Sequence, residues 1–169
     1  LRYFRFLASY GRAGIGQDPD VLDAITSNLT GLETLSGERI GHEMRKLLAA
    51  PDPSPALAVM RPTGVLAAIR PGGDDRWIGP LGHLGSSGGI VASWLCRLAC
   101  LGGQDLTERL RLSNAEARQL ATLTEAAYGA TALTEIAYRH GRETAEQAMI
   151  LRAAMTGHPP ESPVLETIQ

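Results

Sequence analysis

The stretch Leu35–Leu48, LSGERIGHEMRKLL, decides the fold. Ser36 can accept a hydrogen bond from a free amide of a first helical turn, as an N-cap does. Glu38 would lie in that turn, where the helix dipole favours an anion. Apolar residues then recur on one helical face, at Ile40, Met44, Leu47 and Leu48. This pattern predicts a capped amphipathic helix with one buried face and one charged face.

Similar start signals recur along the chain. Asp18-Pro19 and Ser54-Pro55 each pair a capping residue with a proline suited to a first turn. Ser113 and Glu116 have the spacing of a capping box. No stretch of the sequence alternates polar and apolar residues with a period of two. We therefore predict an all-α fold, a multi-helix array of short amphipathic helices with no sheet.

Residues 71–89 differ from the rest of the chain in composition. They are rich in glycine and include two prolines, so we predict a long loop there. An apolar helix is predicted to follow over Gly89–Leu101. Further helices are predicted over Thr131–His140 and Arg142–Met155, separated by Gly141.

Composition restricts the class of protein. The 169 residues are 44% hydrophobic and 20% charged, as in an ordinary folded protein. The net charge of −2 gives no global attraction to nucleic acid, so any such site must be a local patch. We find no apolar run long enough to span a membrane and no signal peptide. We expect a cytoplasmic protein without a membrane partner.

Two basic clusters are candidates for binding RNA. Arg2, Arg5 and Arg12 fall within one angular sector of a helical projection, and guanidinium groups spaced in this way can follow a phosphate backbone. The alternative is that they are solvated or form ion pairs with Glu38 or Glu43. The second cluster, Tyr138, Arg139, His140 and Arg142, could stack on or clamp RNA. Its alternative is a core tyrosine beside surface arginines.

Three further patterns could indicate metal or phosphate binding, but each favours a structural role. Asp18 and Asp20 form a D-x-D pair, but the pair caps a helix and does not end a strand. Gly79, Gly82, Gly85 and Gly88 lack the lysine and hydroxyl residue of a P-loop. Cys96 and Cys100 share one apolar helical face, which favours two buried, reduced thiols. We predict no catalytic residue, no metal site and no bound cofactor in these residues.

The order of the motifs resembles a known family. In class II CCA-adding tRNA nucleotidyltransferases and bacterial poly(A) polymerases, an arginine-rich helix ending in RF follows the catalytic head. A helix reading S-x-E-R-I-x-x-E-L-x-K-L-L comes next. Here LRYFRF at 1–6 and LSGERIGHEMRKLL at 35–48 match, with Met44 in place of the leucine. Weaker matches are PALAVMRPTGVLAAIRP (55–71), LCRLACL (95–101), ERLRLSNAEARQL (108–120) and AYRHGRE (137–143).

The resemblance implies a domain organisation and residue roles. Residues 1–50 would be neck-like RNA-binding helices, and residues 51–169 a body and tail that depart from the family at the glycine-rich loop 71–89. Arg2 and Arg5 match the later arginines of the helix that selects the incoming base. Glu38 and Arg39 match a motif that braces that helix.

The resemblance also implies that the chemistry lies elsewhere. The family's head binds a divalent metal, Mg²⁺, with CTP or ATP, and its base-selecting E-D-x-x-R motif would lie upstream of Leu1. We therefore expect a fragment without the catalytic head, which holds the acceptor end of tRNA and does not catalyse alone. The alternative is a helical protein-interaction or homodimerisation module without RNA binding, using Phe4, Phe6 and the Gly89–Leu101 helix.

Overall fold

A computed structural model describes residues 1–11 and 18–157. In these two ranges the chain forms eleven α-helices and one short 3-10 helix, and it has no strand. The α-helices are, in order, α1 (Arg2–Tyr10), α2 (Pro19–Ser27), α3 (Gly37–Leu48), α4 (Ser54–Met60), α5 (Val65–Ile69), α6 (Ile78–Ser87), α7 (Trp94–Leu101), α8 (Leu106–Arg109), α9 (Asn114–Tyr128), α10 (Leu133–His140) and α11 (Arg142–Thr156). The 3-10 helix is Leu29–Leu32. The all-α prediction is confirmed.

The first of two compact units comprises residues 1–75 and 102–114. Within it α1 packs against α3 and α4, and α8 packs against α3. Its core includes one apolar side of each of α1, α3 and α4: Phe4, Leu7, Ala8, Met44, Leu47, Leu48, Leu57 and Met60. Because α1 and α3 bury these sides, their charged residues are left on the solvent side of the helix pair.

Two of the predicted caps are confirmed. The Ser36 hydroxyl accepts a 3.4 Å hydrogen bond from the Arg39 amide, and the Asp18 carboxylate accepts a 3.0 Å bond from the Asp20 amide. Ser54 was expected to be a cap, but it is the first residue of α4. The preceding Pro53 already has helical φ and ψ, and the Asp52 carboxylate accepts from the Ser54 amide at 3.0 Å.

Gly41 allows α3 to approach the turn that follows α8. It is buried, and a Cβ atom at this position would collide with the carbonyl oxygen of Leu110. The close approach fixes the charged face of α3 relative to α8.

The second unit comprises residues 76–101 and the chain from 115 onward. Within it α11 packs against α6, α7 and α10. The described part of α11 buries a broad apolar surface made mostly of small side chains: Ala145, Ala148, Met149, Ile150, Leu151, Ala153 and Ala154. The helix is therefore the central element of this unit.

The prediction of a loop over 71–89 is wrong for residues 78–87, which form α6. Ile78 and Leu81 are buried, and this packing outweighs the poor helix propensity of the glycines. The helix ends at Ser87; beyond it Gly89 has a φ of +68°, and the Ile90 amide donates to the Gly85 carbonyl at 2.8 Å. This is a Schellman-type ending, so Gly89 terminates α6 and does not begin the next helix.

The predicted start of the apolar helix at Gly89 is also wrong, because α7 begins at Trp94. The buried Gln147 side chain accepts from the Ser93 amide at 2.8 Å and donates to the Val91 carbonyl at 2.9 Å. The Ser93 hydroxyl in turn accepts from the Cys96 amide at 3.1 Å. These bonds satisfy the backbone of an extended segment and cap α7 at its observed start.

The cysteines of α7 behave as core residues. Cys96 and Cys100 are buried and form no disulfide, and burial raises the pKa of the Cys96 thiol far above its usual range. The Cys96 thiol therefore stays protonated, and both cysteines pack as small buried side chains in the second unit. No helix in the described part of the chain combines the length and hydrophobicity needed to cross a membrane.

Candidate nucleic-acid interface

A groove of about 770 Å³ lies along α1 and α3 in the first unit. Arg2 and Arg5 line it from α1, where they are one helical turn apart. Charged side chains line it from α3: Glu38, Arg39, His42, Glu43 and Lys46. Leu1 and Leu35 complete the lining. The groove therefore holds four cationic side chains against two carboxylates, with a histidine between them.

Helical spacing explains why these α3 residues meet in one groove. His42, Glu43 and Lys46 lie three, four and seven residues after Arg39, so the four side chains share one face. The opposite face of the helix is buried through Met44, Leu47 and Leu48. Packing of the apolar face thus directs the charged face toward the groove.

Arg5 is held by a carboxylate of the same groove. Its Nη1 atom lies 3.1 Å from both oxygens of Glu43, and both side chains are partly buried. The sequence left open whether Arg5 meets phosphate or pairs with an acid, and the structure shows the ion pair. Arg5 therefore neutralises Glu43 and adds little free positive charge.

The other carboxylate of the groove, Glu38, is held at the start of α3. Hydrogen bonds from its own amide and from the Ser36 hydroxyl, with the charge of Arg111, lower the pKa of Glu38. The Nε atom of Arg111 lies 3.5 Å from this carboxylate, and both side chains are exposed. Glu38 thus connects the beginning of α3 to the turn after α8.

The remaining cations of the groove are available to a ligand. Arg2, Arg39 and Lys46 are exposed, and none forms an ion pair with another residue of the described ranges. The sequence comparison matched Arg39 to a bracing motif, whereas here it lines the groove beside Lys46. Lys46 and His42 were not predicted as site residues, although their spacing from Arg39 was a readable signal.

The other predicted cations are placed differently. Arg12 lies outside the described residues. In the second unit, Arg139 pairs with Glu135 and Arg142 pairs with Glu146, each at 2.7 Å and each one turn apart on its own helix. Tyr138, predicted as a stacking or core residue, is 92% exposed. The Arg139 and Arg142 charges are therefore largely balanced by acids on their own helices.

The other patterns found in the sequence form no chemical site here. Gly79, Gly82 and Gly85 lie within α6, so they do not form a phosphate-binding loop. Asp18 acts as the cap of α2. Within 1–11 and 18–157, no group of three or more His, Cys, Asp or Glu side chains is arranged to hold a metal ion.

The surface proposed for protein interaction is largely buried. Phe4 and the apolar residues of α7 (Leu95, Leu98 and Leu101) belong to the cores of their units. Phe6 is exposed. An interface through Phe4 or α7 is therefore wrong, and dimerisation through other residues stays a prediction.

Comparison with known proteins identifies the segment that contains α3. Residues 17–76 match the family described as "Probable RNA and SrmB-binding site of polymerase A". This match includes every α3 residue of the groove and leaves out Arg2 and Arg5. No solved structure matches the chain.

Two curated relatives match a short part of the chain. The zebrafish (Danio rerio) mitochondrial CCA tRNA nucleotidyltransferase 1 is 51% identical over 51 residues, and the human (Homo sapiens) protein of the same name is 46% identical over 48 residues. Each match covers 28% of this chain and 11% of the relative's length. The resemblance found in the sequence is thereby confirmed over part of the chain, since residues 17–76 are similar to the C-terminal region of CCA-adding tRNA nucleotidyltransferases and poly(A) polymerases.

Proposed function

We propose that this chain is the RNA-binding, C-terminal part of a nucleotidyltransferase that acts on tRNA, and that the α1–α3 groove holds the acceptor end. The observation that carries the proposal is the excess of cations in the groove, where Arg5 and Arg111 already engage the two carboxylates. Arg2, Arg39 and Lys46 would then contact phosphates of the RNA backbone. The matched family and the names of the relatives support RNA, and tRNA in particular, as the ligand.

Catalysis would belong to a head outside these residues. The family's divalent metal and CTP or ATP would be bound there, and the described residues contain no group of three or more side chains arranged to hold a metal ion. We assign them to the head and expect the 169-residue chain alone to add no nucleotide to tRNA. Whether the parent protein adds CCA or poly(A), the groove would serve the same holding role.

The cellular compartment belongs to the same proposal. The two relatives are named as mitochondrial proteins. The sequence led us to expect the cytoplasm, and both compartments contain tRNA that needs a mature acceptor end. Fractionation of cells that express the tagged parent protein would distinguish them.

The test is binding of labelled tRNA across a series of salt concentrations. We compare the wild-type chain with the triple variant Arg2→Gln, Arg39→Gln, Lys46→Gln. Each lost phosphate contact should reduce the slope of log K against log salt by about 0.7 to 0.9. Arg5 is kept in the variant, because its removal would leave the Glu43 carboxylate partly buried without its cation.

The matched control removes three cations from the second unit, with Arg118→Gln, Arg139→Gln and Arg142→Gln. We expect it to keep the wild-type affinity and slope. If the control loses affinity and the groove variant does not, the second cluster holds the RNA and the groove assignment is wrong. No tRNA binding by the wild-type chain at low salt would overturn the proposed function itself.

A further inference from the structure

Two aromatic rings stand exposed on α1 beside the groove. Phe6 is 59% exposed and Tyr10 is 73% exposed. Their ring centroids are 5.2 Å apart and their planes are tilted by 43°. Since the opposite side of the helix buries Phe4, Leu7 and Ala8, the two rings do not belong to the core. Exposed aromatic pairs of this kind commonly mark contact surfaces.

The ring pair continues a stripe that begins in the groove. Arg2, Phe6 and Tyr10 follow one another at intervals of four residues, so they are neighbours along one side of α1. Arg2 also lines the groove. A strand whose phosphates contact Arg2 would therefore present its next nucleotides to Phe6 and Tyr10.

We infer that Phe6 and Tyr10 form a stacking platform for unpaired bases of single-stranded RNA, adjoining the basic groove. This inference rests on the proposed function and specifies its ligand. Unpaired bases expose π faces that stack on aromatic side chains, whereas the bases of a duplex are already stacked on one another. The groove would bind the backbone, and the ring pair would favour RNA with a single-stranded end.

The charge next to the rings favours RNA over a protein partner. Arg2, Arg39 and Lys46 are exposed cations in the groove that the stripe enters. A polyanion with flat apolar bases complements a cationic groove joined to two rings. A second copy of this chain would bring the same cations against each other, which is unfavourable.

The experiment uses the double variant Phe6→Leu, Tyr10→Leu of the full chain. Leucine keeps an apolar side chain and a good helix propensity but has no π face. The probes are a single-stranded RNA oligonucleotide and a blunt RNA duplex with the same number of phosphates. We expect the variant to bind the single strand at least about tenfold more weakly. Its affinity for the duplex and both salt slopes should stay at the wild-type values.

The matched control is Tyr128→Leu, which removes a ring that is 64% exposed in the second unit. It should leave binding of both probes unchanged. Circular dichroism should give wild-type helicity for all variants, because the replaced side chains are exposed.

Each other outcome overturns the inference in a recognisable way. Equal single-strand affinity of wild type and double variant would exclude stacking on these rings while leaving the groove function intact. A wild-type dimer that dissociates in the double variant would assign the rings to a protein contact. A wild-type chain that binds neither probe at low salt would remove the proposed function, and this inference with it.

Discussion

At the scale of single residues, the groove depends on two carboxylates that serve different partners. Glu43 neutralises Arg5 inside the groove, and Glu38 is held by the start of α3 and by Arg111. The other groove cations, Arg2, Arg39 and Lys46, pair with no acid of residues 1–11 and 18–157, and in the proposed function they contact the RNA. We therefore expect Glu43 to influence RNA binding and the pKa of Glu38 to report the cap of α3.

Replacing Glu43 by glutamine should strengthen RNA binding. The change removes one negative charge from the groove, and the amide oxygen can still accept from Arg5. We expect about threefold to fivefold tighter tRNA binding at low salt, equivalent to about 1 kcal/mol, and a smaller gain at high salt. The measurement is a tRNA titration at two salt concentrations.

The control for this prediction is Glu146→Gln. That change frees Arg142 from an ion pair within α11, in the second unit. Unchanged tRNA affinity is expected for the control. Weaker binding by Glu43→Gln in a chain of wild-type stability would mean that Glu43 positions Arg5 for RNA.

The titration of Glu38 should report the capping geometry of α3. The carboxylate is stabilised by its own backbone amide, the Ser36 hydroxyl and Arg111, which lower the pKa of Glu38 in the folded chain. Its contribution to stability is therefore present above the ordinary pKa of glutamate and is lost as the pH falls through the lowered value. NMR titration of the Glu38 carboxyl carbon measures this pKa directly.

Two variants separate the causes of the Glu38 shift. Ser36→Ala should raise the pKa of Glu38 toward its ordinary value, since the hydroxyl donor is lost. Arg111→Gln should raise it less, because the arginine is the weaker cause. A larger effect of Arg111→Gln, or an ordinary pKa in the wild-type chain, would contradict this account of the cap.

At the scale of elements, α6 is the helix that sequence patterns missed. Its glycines have low helix propensity, and Gly89 can either stop one helix or precede another. Two features of the folded chain resolve this ambiguity: the burial of Ile78 and Leu81, and the hydrogen bond from the Ile90 amide to the Gly85 carbonyl. Neither feature is visible in the local sequence. By contrast, α3 was predicted well because its Ser36 cap and its apolar periodicity are local signals.

The groove was predictable in part for the same reason. Arg2 and Arg5 were identified because they lie on one face of a single predicted helix. Lys46 and His42 were overlooked, and their role depends on α1 packing beside α3, a contact between distant parts of the sequence. The pairing of Arg5 with Glu43 likewise required that contact.

Two glycines of α6 provide a matched test of that helix. No atom lies within 4 Å of a Cβ built on Gly82, so Gly82→Ala should stabilise the chain by about 0.5 to 1 kcal/mol. A Cβ on Gly85 would lie 2.5 Å from the Ile90 carbonyl oxygen, so Gly85→Ala should destabilise it by about 1 to 3 kcal/mol. Urea unfolding measures both; equal effects of the two changes would argue against the packed end of α6.

At the scale of the whole molecule, the segment that matches the family is smaller than the unit in which it folds. Residues 17–76 contain α3 and α4, but α1 lies before them and α8 after them. α1 contributes Phe4, Leu7 and Ala8 to the core, and the Leu110 carbonyl packs against Gly41. Arg2 and the exposed aromatic pair also lie outside the match. The segment that matches the family is therefore not equivalent to an independently folded domain in this chain.

A peptide covering residues 17–76 should accordingly lose both cooperative folding and most of its RNA affinity. Without α1, the apolar sides of α3 and α4 are exposed to water, and helices of 12 and 7 residues are marginal alone. Thermal unfolding followed by circular dichroism should show a broad, weak transition for the peptide and a cooperative one for the full chain. In the tRNA salt series, the slope of log K against log salt should be smaller for the peptide. Arg2 is absent from it, and Arg39 and Lys46 no longer share a fixed helical face. A peptide that unfolds cooperatively and binds tRNA with the full-chain affinity would show that α1 is dispensable, and the RNA contacts would then have to be assigned to α3 without its partner helix.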